Sequence, residues 1–210
     1  MSCPALFITG TDTDVGKTWV ATRLLTLLRI RGVEAVGMKP IECGSYDDSR
    51  AIFQVSDPSG PTLEEVNPVH LDEPLAPMAV SEPSPIDFTD LKQKAESLLE
   101  RWEFLCVEGA GGWLVPIDKD RMVEDLAVEF GFPVLVVASN RLGVLNHTLL
   151  TVRAIESAGL KCMGVFLNTF EDRDLSQSSN AAILREVLND VPVFDQDFDL
   201  VADACMELME

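Results

Sequence analysis

The chain has 210 residues, 47% of them hydrophobic, with 16 Lys and Arg against 35 Asp and Glu and a formal net charge of −19. That length and apolar share suit a single domain over residues 1–210 with a sizeable core. So acidic a surface argues against nucleic acid or an anionic membrane as partner, although a loop of N–H groups with one lysine can still bind phosphate locally. The five cysteines form no C-x-x-C pair, which fits a reducing cytoplasm better than a disulfide framework or a zinc site. Cys106 and Cys162 stand in or beside apolar runs and are expected in the core. No signal peptide is expected, since an apolar strand comes at once without a basic flank, and no apolar run approaches the length of a membrane span.

The first strand is expected over residues 5–9, and a helix over 17–31 with Val20, Leu24, Leu27 and Leu28 on one face. Between them lies Gly10-Thr-Asp-Thr-Asp-Val-Gly16-Lys17-Thr18. Strand, glycine-bounded loop and helix form the setting of a phosphate-binding loop. Glycine lets the backbone curl round an anion, and the helix start offers free N–H groups and partial positive charge. Lys17 would reach the outer phosphates and the Thr18 hydroxyl would ligate Mg²⁺. Five residues separate Gly10 from Gly16, one more than in the common pattern.

A short strand over 35–38 ends in Lys39-Pro40, at the strand terminus where ligands sit in open α/β sheets. A helix over 50–55 follows Asp47-Asp48, which read either as helix-start compensation or as a metal ligand. Residues 58–85 hold seven of the twelve prolines and read either as a surface excursion or as a long ordered loop lining a site. A helix over 89–102 leads to a buried strand over 104–107. It ends in Glu108-Gly109-Ala110-Gly111-Gly112, a carboxylate and a glycine turn suited to a second half of a phosphate and Mg²⁺ site. Further elements are a helix over 122–130, a strand over 133–138, a helix through 158, a strand over 163–167 ending in Asn168-Thr169, a polar loop over 174–179, a helix over 181–188, a strand over 191–194 and a helix over 200–209. The alternation implies an α/β fold with a mainly parallel sheet and helices on both faces.

Four stretches together resemble the ATP-dependent dethiobiotin synthetase family: the loop with its extra residue, Lys39-Pro40, Val107–Gly112, and Leu142-Gly143-Val144-Leu145-Asn146-His147. Glu73–Pro77 matches a fifth. The resemblance implies a single-domain P-loop NTPase fold and a cytoplasmic homodimer. Its substrates would be ATP, CO₂ or bicarbonate, and 7,8-diaminononanoate, with Mg²⁺ as cofactor. Lys17 and Lys39 would be catalytic. Asp14, Val15, Gly16, Lys17, Thr18, Asp48, Glu108, Gly109, Ala110, Gly111, Asn168 and Thr169 would bind ATP, with Asn168 at the adenine. Thr18, Asp48 and Glu108 would hold the metal. Lys39, Cys43, Leu142, Gly143, Val144 and Asn146 would bind the diamine substrate, its carboxylate reaching the Leu142–Asn146 loop across the dimer interface.

Some positions stay open. Cys43 stands where the family usually has a small hydroxyl residue, so Ser45 could take that contact. Asp47 competes with Asp48 as metal ligand. Phe198-Asp199-Leu200 replaces a proline–tryptophan segment that often covers adenine, which leaves nucleotide selectivity open. His147 is read as structural at the interface rather than as a base. Asp12 and Asp14 are either loop caps or helpers of the metal and amines. Trp113 is expected beside the glycine run, and the other Trp and Met residues in the core. The competing readings are a ParA/MinD-like nucleotide-switched dimeric ATPase, which would usually carry a second Lys where Thr11 and Asp12 stand, and a catalytically weakened relative.

Overall fold

The computed structural model describes residues 4–80, 85–170 and 174–210; Cys3 lies outside them. The main sheet has six strands in the order β2-β5-β1-β6-β7-β8, where β1 is Ala5–Gly10, β2 Ala35–Met38, β5 Phe104–Gly112, β6 Val134–Ser139, β7 Cys162–Asn168 and β8 Val193–Asp195. All its pairings are parallel. A separate parallel pair joins β3 (Ile41–Cys43) to β4 (Val69–Leu71). The helices are α1 (Lys17–Ile30), α2 (Asp47–Val55), α3 (Leu63–Val66), α4 (Phe88–Leu99), α5 (Val123–Phe130), α6 (Val144–Ser157), α7 (Gln177–Leu188) and α8 (Phe198–Glu207).

Strand side chains alternate between two cores, as a two-residue period requires. Ala5 and Phe7 face the cluster built with α4, α5, α6 and α7. Leu6 and Ile8 face the cluster built with α1, α2 and α8. The sheet is therefore covered on both faces, which explains why its strands are continuous apolar runs. Cys106, Cys162 and Cys205 are buried within these clusters.

The structure corrects several element boundaries. β5 runs on through Gly112, because Gly112 pairs with Gly10 across the sheet; the glycine run is strand rather than turn. α2 starts at Asp47 and takes both aspartates into its first turn. Gln177 to Ser179, expected in a polar loop, already belong to α7. The proline-rich stretch carries α3, β4 and a turn of 3₁₀ helix at Pro77–Ala79. Trp19 is not core: it is 42% exposed and packs edge-on against Phe198. Met78, Met122 and Met206 are exposed as well.

Candidate active site

β1 lies between β5 and β6, so the loop after it opens at the centre of the sheet's carboxyl edge, where the strand order reverses. Gly10 is required there: a Cβ would meet Asp12 O at 2.7 Å and Val15 Cγ2 at 2.8 Å. Asp14 and Gly16 take left-handed conformations, with φ of 58° and 94°. Gly16 precedes α1 and makes no side-chain cap, leaving the first N–H groups of the helix free for an anion. A Cβ on Gly16 would collide with the Asn168 amide. Asn168 Nδ2 donates to Val15 O at 3.0 Å and so ties the end of β7 to the loop. Val15 contributes its backbone there, since its side chain is core.

A second group of residues converges on the start of α1. Pairing of β2 with β5 sets Met38 beside Val107, so Lys39 and Glu108 emerge together. Lys39 Nζ donates to Glu108 Oε1 at 2.5 Å, to Asp48 Oδ2 at 2.9 Å and to Gly109 O at 3.4 Å. Thr18 Oγ1 donates to the same Glu108 Oε1 at 2.9 Å. The Lys39 backbone is held by the proline-rich stretch: its N–H donates to Val66 O, and Asn67 Nδ2 donates to its carbonyl.

The electrostatics follow from this packing. Burial would lower the Lys39 pKa, but the Glu108 and Asp48 charges overcome it and hold the ammonium above its ordinary value. Burial raises the Glu108 carboxyl despite Lys39. For Asp48, burial is outweighed by the charge and hydrogen bond of Lys39 and by the Thr18 hydroxyl, and its pKa falls. Lys17 is pushed down by burial and then by the nearby Lys39 charge. Two lysines and two carboxylates thus share one small space.

These residues line a cleft of about 810 Å³. Asp14, Gly16, Cys43, Ala110 and Gly111 also face it, as do Pro74 to Pro77. The proline-rich excursion is therefore an ordered wall of the site. Cys43 is in the cleft, whereas Ser45 is not among its lining and donates to Asp47 Oδ2 at 2.7 Å. That bond occupies Asp47 and leaves Asp48 as the carboxylate facing Lys39. Sequence reasoning missed Glu42. It is buried, lines the cleft, and accepts from the N–H groups of Asp48 and Ser49. A carboxylate two residues past Pro40 and ahead of a helix was its only signal.

Other expected residues stand apart from this cleft. Leu142 is 80% exposed and its N–H donates to Asp174 Oδ2 at 2.7 Å. Gly143 caps α6 in a left-handed conformation, Val144 is buried and Asn146 is exposed. None of the four lines the cleft of its own chain. Thr169 accepts from Asn140 Nδ2 at 3.0 Å and faces a neighbouring recess with Asp195 and Gln196. Asp12 caps the Thr13 N–H at 2.8 Å, the loop-cap alternative, while Asp14 faces the cleft. His147 lines a separate apolar recess with the buried Trp113 and Leu150.

Comparison with known proteins decides the family. An AAA domain family model matches residues 4–196. The ATP-dependent dethiobiotin synthetase of Akkermansia muciniphila is 38% identical over 192 residues, covering 90% of this chain and 89% of the relative. The chain belongs to the ATP-dependent dethiobiotin synthetase family. The synthetase of Methanococcus vannielii is 40% identical over 169 residues, 80% of each chain. Among solved structures, the Pyrococcus furiosus cell division ATPase MinD superposes with a TM-score of 0.59 at 18% identity, over 98% of this chain and 89% of that one. This likeness shows the fold, not a switch activity.

P-loop NTPases typically place a divalent cation beside the phosphates. Glu108 Oε2 is buried with no hydrogen-bond partner, an acceptor aimed at something beyond the protein's own groups. With the Thr18 hydroxyl and Asp48 nearby, the donors are all oxygen, the chemistry a hard cation takes. Among the described residues no three His, Cys, Asp or Glu side chains are arranged to hold a metal by themselves, so phosphate oxygens and water would complete the shell.

Proposed function

We propose that the protein uses ATP to carboxylate 7,8-diaminononanoate and close it to dethiobiotin. CO₂ adds to one amine and gives a carbamate. A carbamate oxygen attacks the γ-phosphorus of ATP, ADP leaves, and a carbamic–phosphoric anhydride results. The second amine attacks the carbonyl carbon, inorganic phosphate departs, and the cyclic urea is complete. The phosphoryl transfer sets anion against anion. Lys17 holds the β- and γ-phosphates over the α1 N-terminus, and Lys39 sits between carbamate and γ-phosphate. The observation that carries this reading is the shared Glu108 Oε1, which brings Lys39 and Thr18 to one point.

Thr18, Asp48 and Glu108 would hold Mg²⁺, which would neutralise phosphate charge when bound. Lys39 would then exchange its carboxylate partners for the reacting oxygens. Gly109, Ala110 and Gly111 give the triphosphate close backbone approach, with Asp14 to Thr18 on the other side. Asn168 and Thr169 lie toward the base. Cys43 and Lys39 face the diamine end.

The exposed loop at Leu142, Gly143, Val144 and Asn146 supports a homodimer. It cannot serve the cleft of its own chain, but its helix start suits the carboxylate of a substrate bound to a partner. Among the described residues no helix is long and apolar enough to cross a membrane. A cytoplasmic location is part of the proposal.

The test is phosphate release with ATP, Mg²⁺, bicarbonate and 7,8-diaminononanoate. Release should require the diamine and be abolished by Lys17→Ala or Lys39→Ala. Diamine-independent release stimulated by self-association would overturn the reading.

A further inference from the structure

Phe170 has no evident structural task. It is 46% exposed, joins neither core cluster, and among the described residues stacks on no other ring. Yet it is the one aromatic side chain among the described residues that line the main cleft. Its ring tip lies 3.5 Å from the point a Cβ on Gly16 would occupy, against the last turn of the phosphate-binding loop. Two residues earlier, Asn168 is bonded to Val15 O, so the segment carrying Phe170 is anchored to that loop.

A nucleotide whose phosphates rest on Gly16 to Thr18 must send its ribose and base away from the cradle. An exposed ring at the cradle's edge offers a flat apolar face. Phe198, the aromatic near the end of the chain, is not free for this. Its ring packs against Trp19 at 5.2 Å and Phe166 at 4.7 Å, in the seam between α1 and α8.

We propose that Phe170 is the stacking platform for the base of the nucleoside triphosphate. This deepens the reading above and rests on its placement of the phosphates. Stacking is tolerant of base identity, because every base has a π-face, and it favours the larger purines. Phe170 thus contributes affinity for a nucleoside over bare triphosphate, and discrimination among purines falls to polar groups.

Calorimetry on the full chain, without diamine, separates these contributions. The ligands are Mg-ATP, Mg-GTP and Mg-tripolyphosphate. Phe170→Ala should weaken ATP and GTP roughly tenfold while leaving tripolyphosphate within about twofold, and Phe170→Tyr should bind ATP like the native chain. Tripolyphosphate also reports that the loop remains folded in each variant. Equal losses for ATP and tripolyphosphate would make the ring a mere support for the loop and overturn the proposal. So would unchanged ATP affinity in Phe170→Ala, or a Phe170→Tyr loss matching it. If the native chain bound tripolyphosphate and ATP equally, stacking would fall alone; if it bound neither, the phosphate placement would fall with it.

Discussion

Lys39 and Glu108 lie 69 positions apart in the chain, yet the Lys39 ammonium and Glu108 Oε1 form a fully buried ion pair. Neighbouring strands deliver them to the same edge, and Asp48 completes the group from α2. Removing one partner leaves charge stranded in a poorly solvated place. Lys39→Met should lower stability at neutral pH by about 3 kcal/mol. The loss should shrink as pH falls and Glu108, already raised by burial, takes up a proton. Denaturant midpoints of both proteins across acid and neutral pH measure this.

Glu42 makes a second prediction. Its carboxylate caps the start of α2 and thereby aims Asp48. Glu42→Ala should cost about 1 kcal/mol of stability, the usual worth of a lost cap. It should also raise the Mg²⁺ concentration needed for half-maximal turnover more than it changes the diamine KM. Glu42→Gln keeps one acceptor oxygen and should recover much of both.

Gly16→Ala should be severe. The left-handed backbone alone costs about 1–2 kcal/mol for a residue bearing a Cβ, and here the Cβ meets the Asn168 amide. Asn168 would have to release Val15 O. Calorimetric ATP affinity should collapse along with the denaturant midpoint.

Thiol chemistry provides a pH test. Burial pushes Cys162 and Cys205 up to about 12 and Cys106 up as well. Cys43 is also raised by burial, but it is only half-buried and opens on the cleft. The thiolate is the reactive form, so alkylation of Cys43 should be slow near neutrality and accelerate as pH rises past 9. Among the described cysteines, peptide mass mapping of the native protein should find the label at Cys43 first. Bound ATP and diamine should slow it.

Much of this site could be read from the chain because its strongest signals are local. A glycine loop between strand and helix, a lysine at a strand end, and a carboxylate after an apolar run each state their own position. The alternation of strands and helices likewise carried the sheet. What stayed hidden depends on contacts distant in sequence. Strands β3 and β4 have three residues each and pair with each other across 28 positions of chain, and Pro40 and Pro68 just before them read as loop. Glu42 becomes a cap only when α2 folds back over it. The place of Phe198, whose ring packs against Trp19, depends on a helix at the other end of the chain. Asp47 and Asp48, adjacent in sequence, are told apart only by partners remote from them or off their own helix: Ser45 for one and Lys39 for the other.

The all-parallel sheet also divides the protein into two ends with unequal freedom. Its carboxyl rim is crowded with reactive groups, while the turns at Gly32, Gly131 and Gly159 lie on the opposite rim with open space around them. Lengthening those turns costs little loop entropy. They are the places where a reporter peptide or surface anchor can be spliced in while the enzyme keeps working.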